Sequence, residues 1–351
     1  MPIDDALRAA TGRLLQSIDA PGAFSVMPLS GGRNNRVFRL DFADGRPAMV
    51  MKHYFHDSND HRDRLRTEFA FSQAAWQSGL RCLPEPLAAD MENRIGLYAF
   101  CQGERVAPSG VTAQMIEQAL EFCITLNSPV ARSAAGDLPM ASDACRSLED
   151  HIVCTTRRLE RLKRSDMGNC AVTDFIANEL APCIDATVAD LTDARAAGLW
   201  NDEGNLAQSE LCLSASDFGF HNALVDADGT VTFLDFEYAG WDDPSKLVCD
   251  FFSQEAVPVP LQHFTAFAER IVRQLGLTDS HRARMTALLP LHRLKWICMM
   301  LEDFLPDTRK RRAFAAGGAA SSLYLDERLV AARTALQKAH LLRDGLSVVL
   351  H

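Results

Sequence analysis

Two kinds of periodicity divide this chain, and that division constrains the fold more than any other feature. Up to about residue 105 the apolar residues alternate or run in short blocks, punctuated by Gly, Pro and Asp-Gly. From 106 onward they recur at three- and four-residue spacing, as on one face of a helix. One stretch breaks the second pattern. Residues 214–244, SASDFGFHNALVDADGTVTFLDFEYAGWDDP, return to short apolar strands and set Asp217, Asn222 and Asp235 beside them. Strands first and helices later predict an α+β molecule of two lobes: a small antiparallel sheet with a helix over residues 1–104, and a larger, mostly helical part over 105–351.

The elements follow from local signals. Residues 23–29 (AFSVMPL) read as a strand and 31–35 (GGRNN) as a loop. RVFRLDF then alternates, with Phe38, Leu40 and Phe42 on one face, Asp44-Gly45 makes a tight turn, and AMVMKHY is the next strand. Leu65, Phe69, Ala70 and Trp76 place a helix in the charged stretch that follows, ending at Gly79. The prolines of CLPEPLAAD keep it extended, and GLYAFCQGERV is a further strand running into a connector at about 98–104. Helices are expected over 112–127, 147–164 and 172–199, and again from 260 to the end. RKRRAFAAGGAASS (309–322), basic and Gly-rich, reads as an exposed turn or loose loop.

Composition removes several classes of function. The net charge of −10 argues against a binder of phosphate backbones, so no nucleic-acid partner is expected. No apolar run approaches the roughly 18 residues that span a bilayer, and MPIDDALRAATGRLLQSI lacks a basic-then-apolar leader. The expectation is a cytoplasmic protein without a membrane partner. Ten cysteines are scattered with no CxxC pair, several in apolar runs such as LEFCITL and KWICMM. They read as small buried hydrophobes rather than a disulfide framework or zinc site. No Ser or Cys sits in a recognisable nucleophile elbow, which disfavours a hydrolase.

The acidic stretch carries the chemistry. An Asp228-Gly229 turn between ALV and VTFLDF makes a hairpin that brings Asn222 and Asp235 to the same end. Taken singly, Asp and Asn cap turns and strand ends. Taken together, two oxygen ligands are too few for a calcium cage and suit Mg²⁺, which keeps waters and takes further ligands from substrate phosphates. Asp217 lies outside that pair, where a carboxylate accepts a hydrogen bond from an incoming hydroxyl. Lys52, in the middle of an apolar strand, needs a partner there.

This segment resembles the catalytic stretch of the aminoglycoside phosphotransferase and choline kinase families, which share the protein-kinase-like fold. LDFEYAG (234–240) is similar to choline kinases and GWDDP (240–244) to aminoglycoside phosphotransferases. The resemblance implies ATP and Mg²⁺ as cofactors, Asp217 as the base-like catalytic residue, and Asn222 and Asp235 as metal ligands. LSGGRNNRVFRL looks like the family's phosphate-covering loop, which implicates Ser30, Gly31, Gly32 and Asn35. Lys52 would grip the phosphates, held by Glu68, and Phe100 and Cys101 in YAFCQGE would meet the adenine edge. The implied reaction moves the γ-phosphate to a hydroxyl of a small molecule, the expected partner.

The acceptor is open among an amino-alcohol such as choline, an aminoglycoside and a sugar. Tyr238, Trp241 and Trp296 could wall a choline-like cation. Glu237, Asp242, Asp243, Glu302 and Asp303 could hold an aminoglycoside. One departure stands out. The family has a His two residues before the catalytic Asp, and this chain has Ala215-Ser216-Asp217. His221 reads as a structural or substrate-side residue rather than a replacement. The missing His leaves a contrasting possibility, a nucleotide-binding regulatory or scaffold protein with weak or no catalysis.

Overall fold

Alternation in the first hundred residues is spent on a sheet. In a computed structural model, which describes residues 3–29, 34–57, 60, 62–200, 204–316 and 322–350, five antiparallel strands lie in the order β1-β2-β3-β5-β4. They are β1 (Phe24–Leu29), β2 (Arg36–Phe42), β3 (Met49–His53), β4 (Pro86–Asp90) and β5 (Ile95–Ala99). Phe38, Leu40 and Phe42 of β2 face one core, as the pattern predicts. Helix α1 (Asp5–Ser17) covers that face with Leu7, Ala10, Leu14 and Leu15. Asp4 caps it by accepting from the Leu7 N–H at 2.7 Å. Helix α2 (Arg64–Gln77) packs Phe71, Ala74 and Ala75 into the core of the second lobe, so it belongs energetically to both.

Register fixes Lys52 at the centre of this sheet, opposite Val37 on β2 and Gly96 on β5. A Cβ on Gly96 would lie 2.7 Å from the Tyr98 ring, so only glycine lets that ring fold back beside Lys52.

Residues 100–103 carry the chain across to β6 (Glu104–Arg105), which pairs with β8 (Ala223–Val225) and not with the first sheet. The expected hairpin is present: β8 and β9 (Val231–Phe233) are antiparallel, joined through Gly229 at φ 80°. A second short pair joins β7 (Cys212–Ser214) to β10 (Gly240–Asp242). Around them lie α3 (Ala113–Leu126), α4 (Pro129–Ala134), α5 (Leu148–Arg164), α6 (Cys170–Phe175), α7 (Ala181–Ala196), α8 (Pro244–Ser253), α9 (Phe264–Gln274), α10 (Asp279–Leu301), α11 (Pro306–Ala316) and α12 (Ser322–Leu350). Among the described residues no helix is long and apolar enough to cross a membrane.

Aromatic packing joins the hairpin to the helices. Phe122 of α3, Phe218, Phe233 of β9 and Phe251 of α8 stack with centroids about 5 Å apart, a spacing at which aromatic pairs add stability beyond area burial. Two elements differ from the sequence expectation. The helix expected over 172–199 is interrupted by a π turn at Ile176–Leu180 just before Pro182. Proline has no N–H and its ring crowds the carbonyl four residues back, and the wider turn relieves that clash. The loose loop expected from 309 is helical as far as Ala316. Phe314 anchors it on Phe55 and His53, with centroids at 5.3 and 5.8 Å. Residues 317–321 lie outside the described residues.

Candidate active site

Lys52 sits where the two lobes meet. Its Nζ donates to Glu68 Oε2 of α2 at 2.6 Å and to Asp235 Oδ1 at 2.5 Å. Glu68 also accepts from the Tyr54 hydroxyl at 2.8 Å, and Tyr54 meets Tyr98 at 2.8 Å. Burial pulls the Lys52 ammonium down, but Asp235 and Glu68 outweigh it and hold the group charged well above its ordinary range. Burial holds the Glu68 carboxyl above the usual carboxylate range, against the pull of Lys52. A strand lysine, a helix carboxylate and a loop carboxylate from three distant parts of the chain converge on one point.

The hairpin end supplies the other half. Asn222 closes a short 3-10 turn (Phe220–Asn222) immediately before β8, and Asp235 stands two residues beyond β9. The Leu234 N–H donates to the Asn222 carbonyl at 2.8 Å, so the two residues leave adjacent chain ends. The Asn222 amide nitrogen donates to the Asp217 carbonyl and to Asp217 Oδ2, at 3.0 and 3.2 Å. Those contacts leave the carboxamide oxygen as the atom a cation would take. Among the described residues no group of three or more His, Cys, Asp or Glu converges as a metal site. A cation held here would take one carboxylate and one carboxamide from the protein, a set that suits an ion completing its shell with water and phosphate oxygens.

Backbone strain marks the same place. Ser216 (φ 63°) and Asp235 (φ 68°) are left-handed without being glycine, a conformation that persists only where the surroundings impose it. The Ser216 N–H donates to Ser214 Oγ at 3.0 Å and its hydroxyl meets Lys246 Nζ at 3.3 Å. Asp217 is turned outward onto a cavity of about 1160 Å³, lined also by Asn222, Asp235, Tyr238 and Trp296.

The structure adds a contact to the sequence reading of His221, which lines the same cavity. The 3-10 turn folds it back over Asp217, with Nε2 at 3.1 Å from Oδ1, and its ring stands edge-on to Trp296 at 5.7 Å. A histidine thus touches the Asp217 carboxylate from four places after it. Helical spacing of the pair within a loop is the signal that sequence reading passed over.

Other expected residues are placed differently. Ser30, Gly31 and Gly32 lie outside the described residues. Asn35 is buried and does not offer its side chain to phosphate. It donates to Glu237 Oε2 at 2.5 Å and accepts from the Phe55 N–H at 3.0 Å. The Phe100 N–H is spent on the Ala48 carbonyl at 3.2 Å and its ring lies under Arg39. Cys101, the next hinge residue, is half-buried, with its Sγ 3.9 Å from the Ala99 carbonyl.

The acceptor residues divide. Tyr238 and Trp296 line the cavity, but Trp241 does not reach it. Trp241 is buried on β10 under Arg132, where Gly240 passes so close to Pro139 that a Cβ would come 2.3 Å from its carbonyl. Glu237 accepts from Asn34 at 2.6 Å as well as from Asn35, and is a tie between the lobes. The remaining carboxylates are engaged too. Asp242 takes Lys246, and Asp243 takes His151 and Arg284, both acids fully buried. Glu302 takes Arg158 and Arg161, and Asp303 takes Arg312, Arg328 and Tyr324. Of the five, Glu302 alone lines the cavity, and it is already ion-paired.

Comparison with known proteins decides the family. The profile of the phosphotransferase enzyme family (APH) matches residues 25–288, well over half of the chain. The chain belongs to this phosphotransferase family. No curated protein sequence matches the phosphotransferase. Its fold is similar to spectinomycin phosphotransferase APH(9)-Ia in complex with ADP and spectinomycin, with TM-score 0.63 and 11% identity over 98% of this chain and 99% of that one. Choline kinase LicA from Streptococcus pneumoniae aligns with TM-score 0.59 and 11% identity, over 95% and 100% of the two chains. The streptomycin–ATP complex of APH(2")-IIa aligns at TM-score 0.52 and 12% identity, over 97% and 99%. At these identities the likeness is one of fold, and the substrate of this phosphotransferase is a separate question.

Proposed function

We propose that this protein is an ATP- and Mg²⁺-dependent kinase of a small hydroxyl compound, with Asp217 as the base-like residue. The observation that carries the reading is the convergence of Lys52, Glu68, Asp235, Asn222 and Asp217 across the interlobe cleft. Structural neighbours crystallised with ADP and ATP support the nucleotide.

Lys52 would neutralise phosphate charge, with Glu68 fixing its direction. Asn222 and Asp235 would hold Mg²⁺, which when bound supplies charge neutralisation on the phosphates. The acceptor oxygen attacks the γ-phosphorus, the new O–P bond forms, and the bond to the bridging oxygen breaks. That oxygen leaves with its electron pair on ADP, and the acceptor proton passes to Asp217. His221 holds the Asp217 carboxylate on one oxygen, and Asn222 holds it on the other. The catalytically inactive reading drew its support from the absent His before Asp217, and the His221 contact weakens that support.

Asp217→Asn should lower phosphoryl transfer by roughly two orders of magnitude or more while Mg-ATP affinity stays within a few fold. Transfer is read as ADP release against a panel of alcohols and affinity by calorimetry. Wild-type turnover in that variant would sink the assignment.

A further inference from the structure

The cavity that Asp217 lines carries a cluster of arginines, in a chain whose net charge is −10. Arg157, Arg158 and Arg161 stand on α5, Arg311 and Arg312 on α11, and Arg328 on α12. Their carboxylate partners are oversubscribed. Asp143 holds Arg157 and Arg158, Glu302 holds Arg158 and Arg161, and Asp303 holds Arg312 and Arg328. Asp307 is a second partner of Arg161. Five guanidinium groups thus share four carboxylates, and among the described residues the sixth, Arg311, has no ion pair, its Nε buried without a hydrogen-bond partner. The floor beneath adds no compensating negative charge, because Lys246 and Lys295 offset Asp242 and Asp250.

One aromatic face that would attract a cation is already occupied: Arg62 and Arg64 lie over the Tyr238 ring at 5.4 and 5.9 Å. A quaternary ammonium or an aminocyclitol would displace guanidinium groups and find no unengaged carboxylate beyond those reserved for chemistry. An anion would complete the bonding of groups whose planar forks fit carboxylate or phosphate oxygens in pairs.

We propose that the acceptor is an anionic alcohol, a hydroxyl compound bearing a carboxylate or phosphate group, and that Arg311 with the α5 arginines grips that group. This rests on the kinase reading above. It places the anion on the wall formed by α5 and α11, with the hydroxyl directed to Asp217.

The test is calorimetry on protein saturated with Mg-AMP-PNP, titrated with glycerol, glycerate, glycerol 3-phosphate, inorganic phosphate, choline and spectinomycin. At least one anion should bind tenfold or more tightly than glycerol, and Arg311→Gln should weaken it on the order of tenfold. Arg161→Gln, at a more exposed position, should weaken it in the same direction and guards against a folding defect at 311. Glycerate binding would assign a carboxylate, and binding of glycerol 3-phosphate or inorganic phosphate a phosphate. The proposal is overturned if choline or spectinomycin binds more tightly than every anion. It is equally overturned if no anion binds, or if both arginine changes leave anion binding untouched. Failure of Mg-AMP-PNP itself to bind would fall on the kinase reading, and the same titrations into free protein would then read the cavity alone.

Discussion

At the scale of single residues, much of the candidate site was legible because charge inside a strand or beside one demands a partner. Lys52 announced itself by standing in AMVMKHY, and Glu68 is the partner the structure gives it. Asn35 and Glu237 misled for a physical reason. Both are polar residues in motif positions, yet burial turns them toward each other, and burial at a lobe interface leaves no local sequence pattern. Asn35→Ala should therefore destabilise the protein by about 1–3 kcal/mol by orphaning the Phe55 N–H and part of Glu237. Asn35→Asp should cost more, since it sets a second carboxylate against Glu237. Chemical denaturation midpoints check the order, and an equal or smaller loss for Asp would contradict the tie. His221 belongs to this scale too. His221→Asn should lower kcat on the order of tenfold by loosening the Asp217 carboxylate, with the KM for ATP nearly unchanged. Steady-state kinetics with an accepted alcohol separate the two parameters, and a change confined to KM would remove His221 from its positioning role.

Among elements, the hairpin of β8 and β9 and the strands of the first sheet were readable from alternation and Asp-Gly turns. The π turn before Pro182 and the helical start of the 309–322 stretch were not. One depends on how a proline clash is relieved, the other on Phe314 finding Phe55 across the lobes. Helix α10 hides a further feature, a buried network in which Asp250 accepts from His292, Lys295 and Trp296. Burial, reinforced by the Lys295 charge, pushes His292 down to about 3. Its folded value is thus below the unfolded one of about 6.5, so the folded state keeps the ring neutral while the unfolded chain gains a proton. The stabilisation is complete above about pH 6.5 and is lost as pH falls toward 3. Between pH 6.5 and 4.5 the loss should reach about 2 kcal/mol, and His292→Gln should flatten it. An unchanged slope in that variant would exclude His292 as the source.

For the whole molecule, two ties flank the cleft where Lys52 meets Asp235. Glu237 joins Asn34 and Asn35 on one side of the cleft, and α11 reaches the first sheet through Phe314 on the other. Neither tie is visible in a sequence whose partners lie more than two hundred residues apart. The two-lobed architecture itself was visible, because the change from strand to helix periodicity falls where the chain crosses between lobes. Between those ties lies the account's central claim, that Asn222 and Asp235 hold a metal ion which brings the nucleotide to Lys52. The most direct measurement is calorimetric ATP binding with and without Mg²⁺, in wild type and in an Asn222→Ala, Asp235→Ala double variant. Wild type should bind ATP at least about tenfold more tightly with Mg²⁺, and the double variant should lose that difference. A magnesium dependence that survives in the double variant, or is missing from the wild type, would contradict the account.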